Sequence, residues 1–210
     1  MLFGRPIQDT LLLIVPLFLS LTIHEYAHAL VAYKLGDPTA KKLGRLTFNP
    51  FAHLSLTGTL CILLTSFIGW AKPVPVDPRH FKNPISGMSL VAAAGPLANI
   101  LLAICMLILY KFFLSLGFHR SLPREIALPL VQMIKIGFVL NIGLAIFNLI
   151  PIPPLDGFRV VSFFLPPEWV AKCERVSFIV FLVFLLILMS TGIVSRAISS
   201  LVRFLLETFL

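Results

Sequence analysis

The stretch LTIHEYAHAL, residues 21–30, sets two histidines and a glutamate inside sequence that otherwise reads as apolar helix. On a helix, His24 and His28 lie one turn apart on a single face, and Glu25 is offset from His24 by about 100°. Two imidazoles at that spacing can hold one Zn2+ ion, and the glutamate between them can reach a water on that ion and take its proton. With only five histidines in 210 residues, chance yields on the order of 0.003 His-Glu-x-x-His matches in a chain of this make-up. The competing reading is a polar contact between helices. Within a bilayer that contact is costly, because ionisable groups there need partners and mark functional sites.

Catalytic zinc commonly has three protein ligands and a fourth position for water, so another residue must join the two histidines. FNLIPIPPLDGFRV, residues 147–160, offers Asp156. Pro151, Pro153 and Pro154 remove backbone donors and stop the preceding helix, and Asp156-Gly157 suits a turn. Two readings of Asp156 stay open: it faces back to His24 and His28, or it is a solvated aspartate at an interfacial helix stop.

The elements that must position these residues are set by hydropathy. The chain is 58% hydrophobic and 12% charged, with a mean hydropathy of +0.98, outside the range of soluble domains of this length. Apolar runs fall at 10–33, 54–70, 86–113, 128–150 and 176–193. Most reach the ~20 helical residues a bilayer core requires, and the second, at about 17, is marginal. The expected fold is an all-α polytopic membrane protein with about four to six transmembrane helices, a re-entrant or membrane-associated hairpin and a small β edge. With no internal repeat or composition shift, 1–210 reads as one domain, a core over 10–160 followed by C-terminal helices over 176–210.

A signal peptide is the rival reading of the first run, since Arg5, the apolar 11–23 stretch and Ala27-His28-Ala29 resemble its three parts. His24, Glu25 and His28 are poor residues for its end, and the apolar helix continues to Tyr33. Cys61, Cys105 and Cys173 form no CxxC pair and read as packing residues. The net charge of +8 is spread over short connectors, which argues against nucleic acid as a partner. Lys34, Lys41, Lys42, Arg45, Lys72, Arg79 and Lys82 instead fit a cytoplasmic surface.

Depth supplies an independent constraint. His28 lies toward the C-terminal end of its helix and Asp156 follows the end of another; if all four first runs crossed the bilayer, these ends would emerge on opposite faces. A hairpin over 54–70 puts them, and both basic connectors, on one side.

HEYAH, AGPLAN (94–99) and FNLIPIPPLDG, in this order in a short polytopic chain, resemble the site-2 protease family of intramembrane zinc metalloproteases. The likeness includes 36–54 and 69–84 and is closest to compact prokaryotic members without a PDZ domain. It implies one Zn2+ ion on His24, His28 and Asp156, Glu25 as catalytic acid and base, and Asn148 as a contact to the substrate backbone. It also implies transmembrane protein substrates, such as membrane-tethered anti-sigma factors, cut in regulated intramembrane proteolysis, with the active site toward the cytoplasmic side of a cell membrane. Ser55 and Phe158 depart from the family pattern in its loops.

Further residues carry two readings each. Asn99 hydrogen-bonds across helices or contacts substrate, and Gly95, Pro96 and Asn99 let the third helix start and pack closely. His53 stabilises an oxyanion, supports a ligand, or is a loop histidine bonded to backbone. KPVPV, with Val74 and Val76, is a strand edge for an incoming peptide or an interfacial turn anchored by Trp70. His80 and His119 read as surface residues. The rival function is a transporter or channel that uses the His/Glu/Asp cluster as a proton or metal path.

Overall fold

A computed structural model describes residues 7–59, 71–117 and 122–175, with scattered positions beyond 175. Three long helices form its body: α1 (Ile7–Lys34), α3 (Pro84–Ser115) and α4 (Arg124–Asn148). The short helices are α2 (Thr39–Lys42), α5 (Asp156–Ser162) and α6 (Pro167–Glu174). Leu12–Lys34, Pro84–Ser115 and Arg124–Asn148 are each long and apolar enough to cross a membrane. Among the described residues, therefore, an all-α membrane fold with three candidate spans is observed.

The three long helices pack against one another pairwise, and their burial pattern inverts that of a soluble bundle. Leu97, Leu101, Ile104, Ile108 and Phe112 recur at helical spacing along the exposed face of α3, while Ser20, Asn99 and Asn141 are completely buried. Lipid is as apolar as leucine, so helices in a bilayer associate through small residues and internal hydrogen bonds. Ala29, Ala32, Ala103 and Ala145 line the contacts accordingly. The third helix begins earlier than AGPLAN suggests: the Asn83 side chain accepts the Ser86 N–H, and Pro84 occupies the first turn. Gly95 and Pro96 consequently lie well inside α3 and serve packing, not initiation.

Two helix ends share one device. After α1, Gly36 adopts φ +109° and the Asp37 N–H reaches the Ala32 carbonyl at 2.9 Å; after α2, Gly44 adopts φ +68° and the Arg45 N–H reaches the Ala40 carbonyl at 2.8 Å. Both are glycine-terminated helix caps in which a left-handed residue reverses the chain. Each delivers a charged side chain inward, so Asp37 and Arg45 are both buried.

The marginal run over 54–70 has its ends side by side. Leu54 and Ala71 form an isolated antiparallel bridge, and the Lys72 N–H donates to the His53 carbonyl at 2.8 Å. A single helical crossing by the roughly 16 residues between them would separate those ends by about 24 Å. Leu54 and Ala71 therefore lie at one level.

The expected small β edge is corrected: the described residues contain no sheet, only that bridge. Pro73 and Pro75 lack N–H groups, and the polar backbone groups that Lys72 and Val74 turn inward are taken by side chains. The segment is extended without becoming a strand. Most of the expected hairpin, residues 60–70 with Cys61 and Trp70, the residue His119, and most of the expected C-terminal helices over 176–210 lie outside the described residues.

Candidate metal centre

One turn of α1 presents His24 and His28, and their Nε2 atoms lie 3.0 Å apart. Asp156 opens α5 immediately after the proline segment, and its Oδ2 is 3.2 Å from His24 Nε2 and 3.3 Å from His28 Nε2. Tetrahedral zinc with bonds of about 2.0–2.1 Å has ligand atoms separated by about 3.3–3.4 Å. The triangle is of that size.

The protonation pattern makes the fit more specific. His28 Nδ1–H donates to the Val91 carbonyl at 2.7 Å, and His24 Nδ1–H donates to Asn99 Oδ1 at 2.6 Å. In the neutral ring this leaves each lone pair on Nε2. Asp156 Oδ2 is buried and accepts no hydrogen bond. With both rings neutral, three electron-pair donors converge on one point, an arrangement suited to a cation at its centre. Two histidines and a carboxylate form a known catalytic zinc set with an open fourth position.

Backbone placement makes this convergence possible. A Cβ at Gly95 would lie 2.5 Å from His28 Nε2 and 2.6 Å from His24 Cε1, so α3 forms a floor directly beneath both rings. A Cβ at Gly157 would lie 2.2 Å from the Leu149 carbonyl oxygen, because the start of α5 is pressed against the end of α4. Asp156-Gly157 is thus the first turn of a helix and not the loop turn its residue types suggest; extended Leu155 precedes it.

Glu25 is buried beside the centre, and its Oε2 accepts the Val74 N–H at 2.9 Å. The Arg45 guanidinium, also buried, donates to the Lys72 carbonyl at 2.5 Å. The 72–74 backbone is therefore clamped between the proposed base and a cation delivered by the Gly44 cap. The Lys72 and Val74 N–H groups are both taken, and Pro73 and Pro75 have none, so 72–75 offers no free N–H group.

The other expected site residues are placed as follows. Asn99 is buried and hydrogen-bonded to His24, Asn141 and the Ser20 carbonyl. His53 is buried, with Nε2–H donating to the Thr47 carbonyl at 2.9 Å. Asn148 ends α4, and its Nδ2 donates to the Leu144 carbonyl at 2.9 Å. Val76 packs on Ala32, Phe81 and Val91. Ser55 Oγ accepts the Gly58 N–H, and Phe158 is buried. His80, 42% exposed in its side chain, faces Asp37 at 3.3 Å. Asn141, Arg45 and the ring-supporting role of Gly95 carried no signal in the sequence, since each acts on residues distant along the chain.

The model for peptidase family M50 matches residues 12–130 and 124–190, together most of the chain. The chain belongs to peptidase family M50. YwhC of Bacillus subtilis (strain 168), provisionally named a zinc metalloprotease, is 46% identical over 81% of this chain and 78% of its own length. Rip2 of Mycolicibacterium smegmatis, named in the same provisional way, is 32% identical over 75% of this chain; the match spans 59% of that relative. No solved structure matches the chain. As a member of the M50 family, the site-2 protease group, the protein is a membrane metalloprotease, and the His24–His28–Asp156 triangle is its candidate metal centre.

Proposed function

We propose that this M50 protein hydrolyses peptide bonds within or near transmembrane segments of other membrane proteins, with one zinc ion held by His24, His28 and Asp156. The observation that carries the reading is the convergence of three potential ligand atoms, two imidazole nitrogens and a carboxylate oxygen, with a buried glutamate on the same membrane-length helix. A bound zinc ion supplies Lewis acidity and lowers the pKa of a coordinated water toward 7.

Glu25 would serve as general base toward the attacking water and as general acid toward the leaving amine. The Val74 amide holds its Oε2, which leaves Oε1 to carry the proton. Arg45, through the Lys72 carbonyl, fixes the backbone that makes this contact. A helical substrate has its carbonyls hydrogen-bonded and crowded, so the peptide must unwind before attack. The 72–76 segment would offer its backbone to such an extended peptide, and Asn148 lies at the end of the helix leading to Asp156.

A membrane-embedded location for the reaction, a cytoplasmic orientation and a place in regulated proteolysis, with membrane-tethered regulators as substrates, belong to the same proposal. It is tested with purified protein in proteoliposomes and a single-pass model substrate. Glu25→Gln should lose cleavage while retaining stoichiometric zinc; undiminished proteolysis by that variant would overturn the assignment of the base. Metal-independent transport with no cleavage by the wild-type protein would favour the transporter reading.

A further inference from the structure

From the geometry of the helix core we infer that Asn141, which does not touch the metal centre, is a positioning residue that locks the Asn99 carboxamide and so holds His24 in its metal-binding tautomer. The inference rests on the zinc reading above.

The hydrogen-bond polarity can be followed from backbone groups that act only as acceptors. Ser20 Oγ–H donates to the Pro16 carbonyl at 2.7 Å, leaving its lone pairs to accept from Asn141 Nδ2 at 2.8 Å. Asn141 Nδ2 also donates to the Gly137 carbonyl at 2.7 Å, which fixes the amide nitrogen on that side. Asn141 Oδ1 must therefore face Asn99, and it accepts from Asn99 Nδ2 at 2.7 Å. Asn99 Oδ1 is left facing His24 Nδ1 at 2.6 Å. That nitrogen must carry a proton, and in the neutral ring the lone pair is then on Nε2.

His28 obtains the same tautomer more directly, because the Val91 carbonyl opposite its Nδ1 cannot become a donor. Asn99 can. A half-turn of its side chain would present an N–H to His24, favour a proton on Nε2 and remove one ligand from the triangle. The Ser20 carbonyl, at 3.3 Å from Asn99 Nδ2, opposes that rotation weakly. Asn141, at 2.7 Å, opposes it with a short bond. Asn99, Asn141 and Ser20 are all fully buried, so no bulk water competes for these groups. Such supporting partners are typically worth a factor of about 10–100 in metal affinity.

The test measures zinc affinity of the purified full chain by chelator competition, with Zn2+ alone as probe. Asn99→Ala should weaken binding roughly 10–100-fold and Asn141→Ala by about 3–10-fold. The decisive comparison is a double-mutant cycle. Asn141→Ala should cost nothing further in an Asn99→Ala background, and nothing in Asn99→Asp, where either side-chain oxygen accepts and rotation is harmless. Wild-type affinity in Asn141→Ala, or losses that add in the double variant, would overturn the inference. If Asn141→Ala does not fold, Asn141→Leu preserves the volume and is read against the same outcomes. Absence of zinc binding by the wild-type chain would instead remove the functional reading, and this inference with it.

Discussion

At the scale of single residues, the metal centre is a balance of lone pairs. His24, His28 and Asp156 place three acceptor atoms within 3.0–3.3 Å of one another, which repel unless a cation joins them. His24→Ala, His28→Ala or Asp156→Ala should each lose or severely weaken zinc, as metal analysis after dialysis would show. Gly95→Ala is a sharper test, since it changes no ligand. Its methyl group would occupy space within 2.6 Å of both imidazoles, and zinc affinity should fall by about tenfold or more. Unchanged affinity would mean that the rings can retreat without leaving the metal.

At the scale of elements, the connectors after α1 and α2 are as determined as the helices. Burial tends to raise the Asp37 pKa, but hydrogen bonds from Thr39 and the Asp77 N–H, with His80 nearby, reverse this and hold the carboxyl below its ordinary value. The sign follows from linkage. A carboxylate with a depressed folded pKa contributes fully above its unfolded value of about 3.9, and the contribution disappears as pH falls through the folded value. Asp37→Asn should therefore melt below the parent protein near neutrality, and the gap should narrow below about pH 4. Thermal unfolding across a pH series checks this; a gap independent of pH would exclude ionisation as its source. Gly157 acts at the same scale, because its Cα–H faces the end of α4 with no room for a side chain. Gly157→Ala should displace α5 and Asp156 together, reducing zinc retention in the dialysis assay.

At the scale of the whole molecule, three buried polar side chains from three helices meet inside an apolar exterior, which sets both the rotation and the depth of each helix. The paired ends of the 54–70 run give a topological prediction. Single cysteines at Lys41 and Arg79, in a background lacking Cys61, Cys105 and Cys173, should be labelled by an impermeant reagent from the same membrane face. Labelling from opposite faces in an active enzyme would reject the returning hairpin. Substrate selection belongs here too: if unwinding limits access, a transmembrane substrate with Gly, Pro or Asn near the cut should be cleaved faster than a uniform Leu helix. Equal rates across a graded series, with chemistry limiting, would remove unwinding from the scheme.

The shared face of His24 and His28, the candidate ligand pair, was determined by sequence alone, because helical periodicity places residues four apart on one face whatever surrounds them. The positions of the three spanning helices were legible for the same local reason: apolar length and proline-bounded ends need no partner to be read. Asp156 was visible only as a candidate, since its approach to residues more than a hundred positions away depends on the packing of α5 on α4. Tertiary structure decided the remainder. Asn99 joins His24 across 75 residues, Asn141 joins Ser20 across 121, and Arg45 reaches Lys72 across 27. In a membrane helix that is apolar on nearly every side, hydropathy does not say which face is buried. Those pairings therefore emerge only when the helices take their mutual rotation and depth.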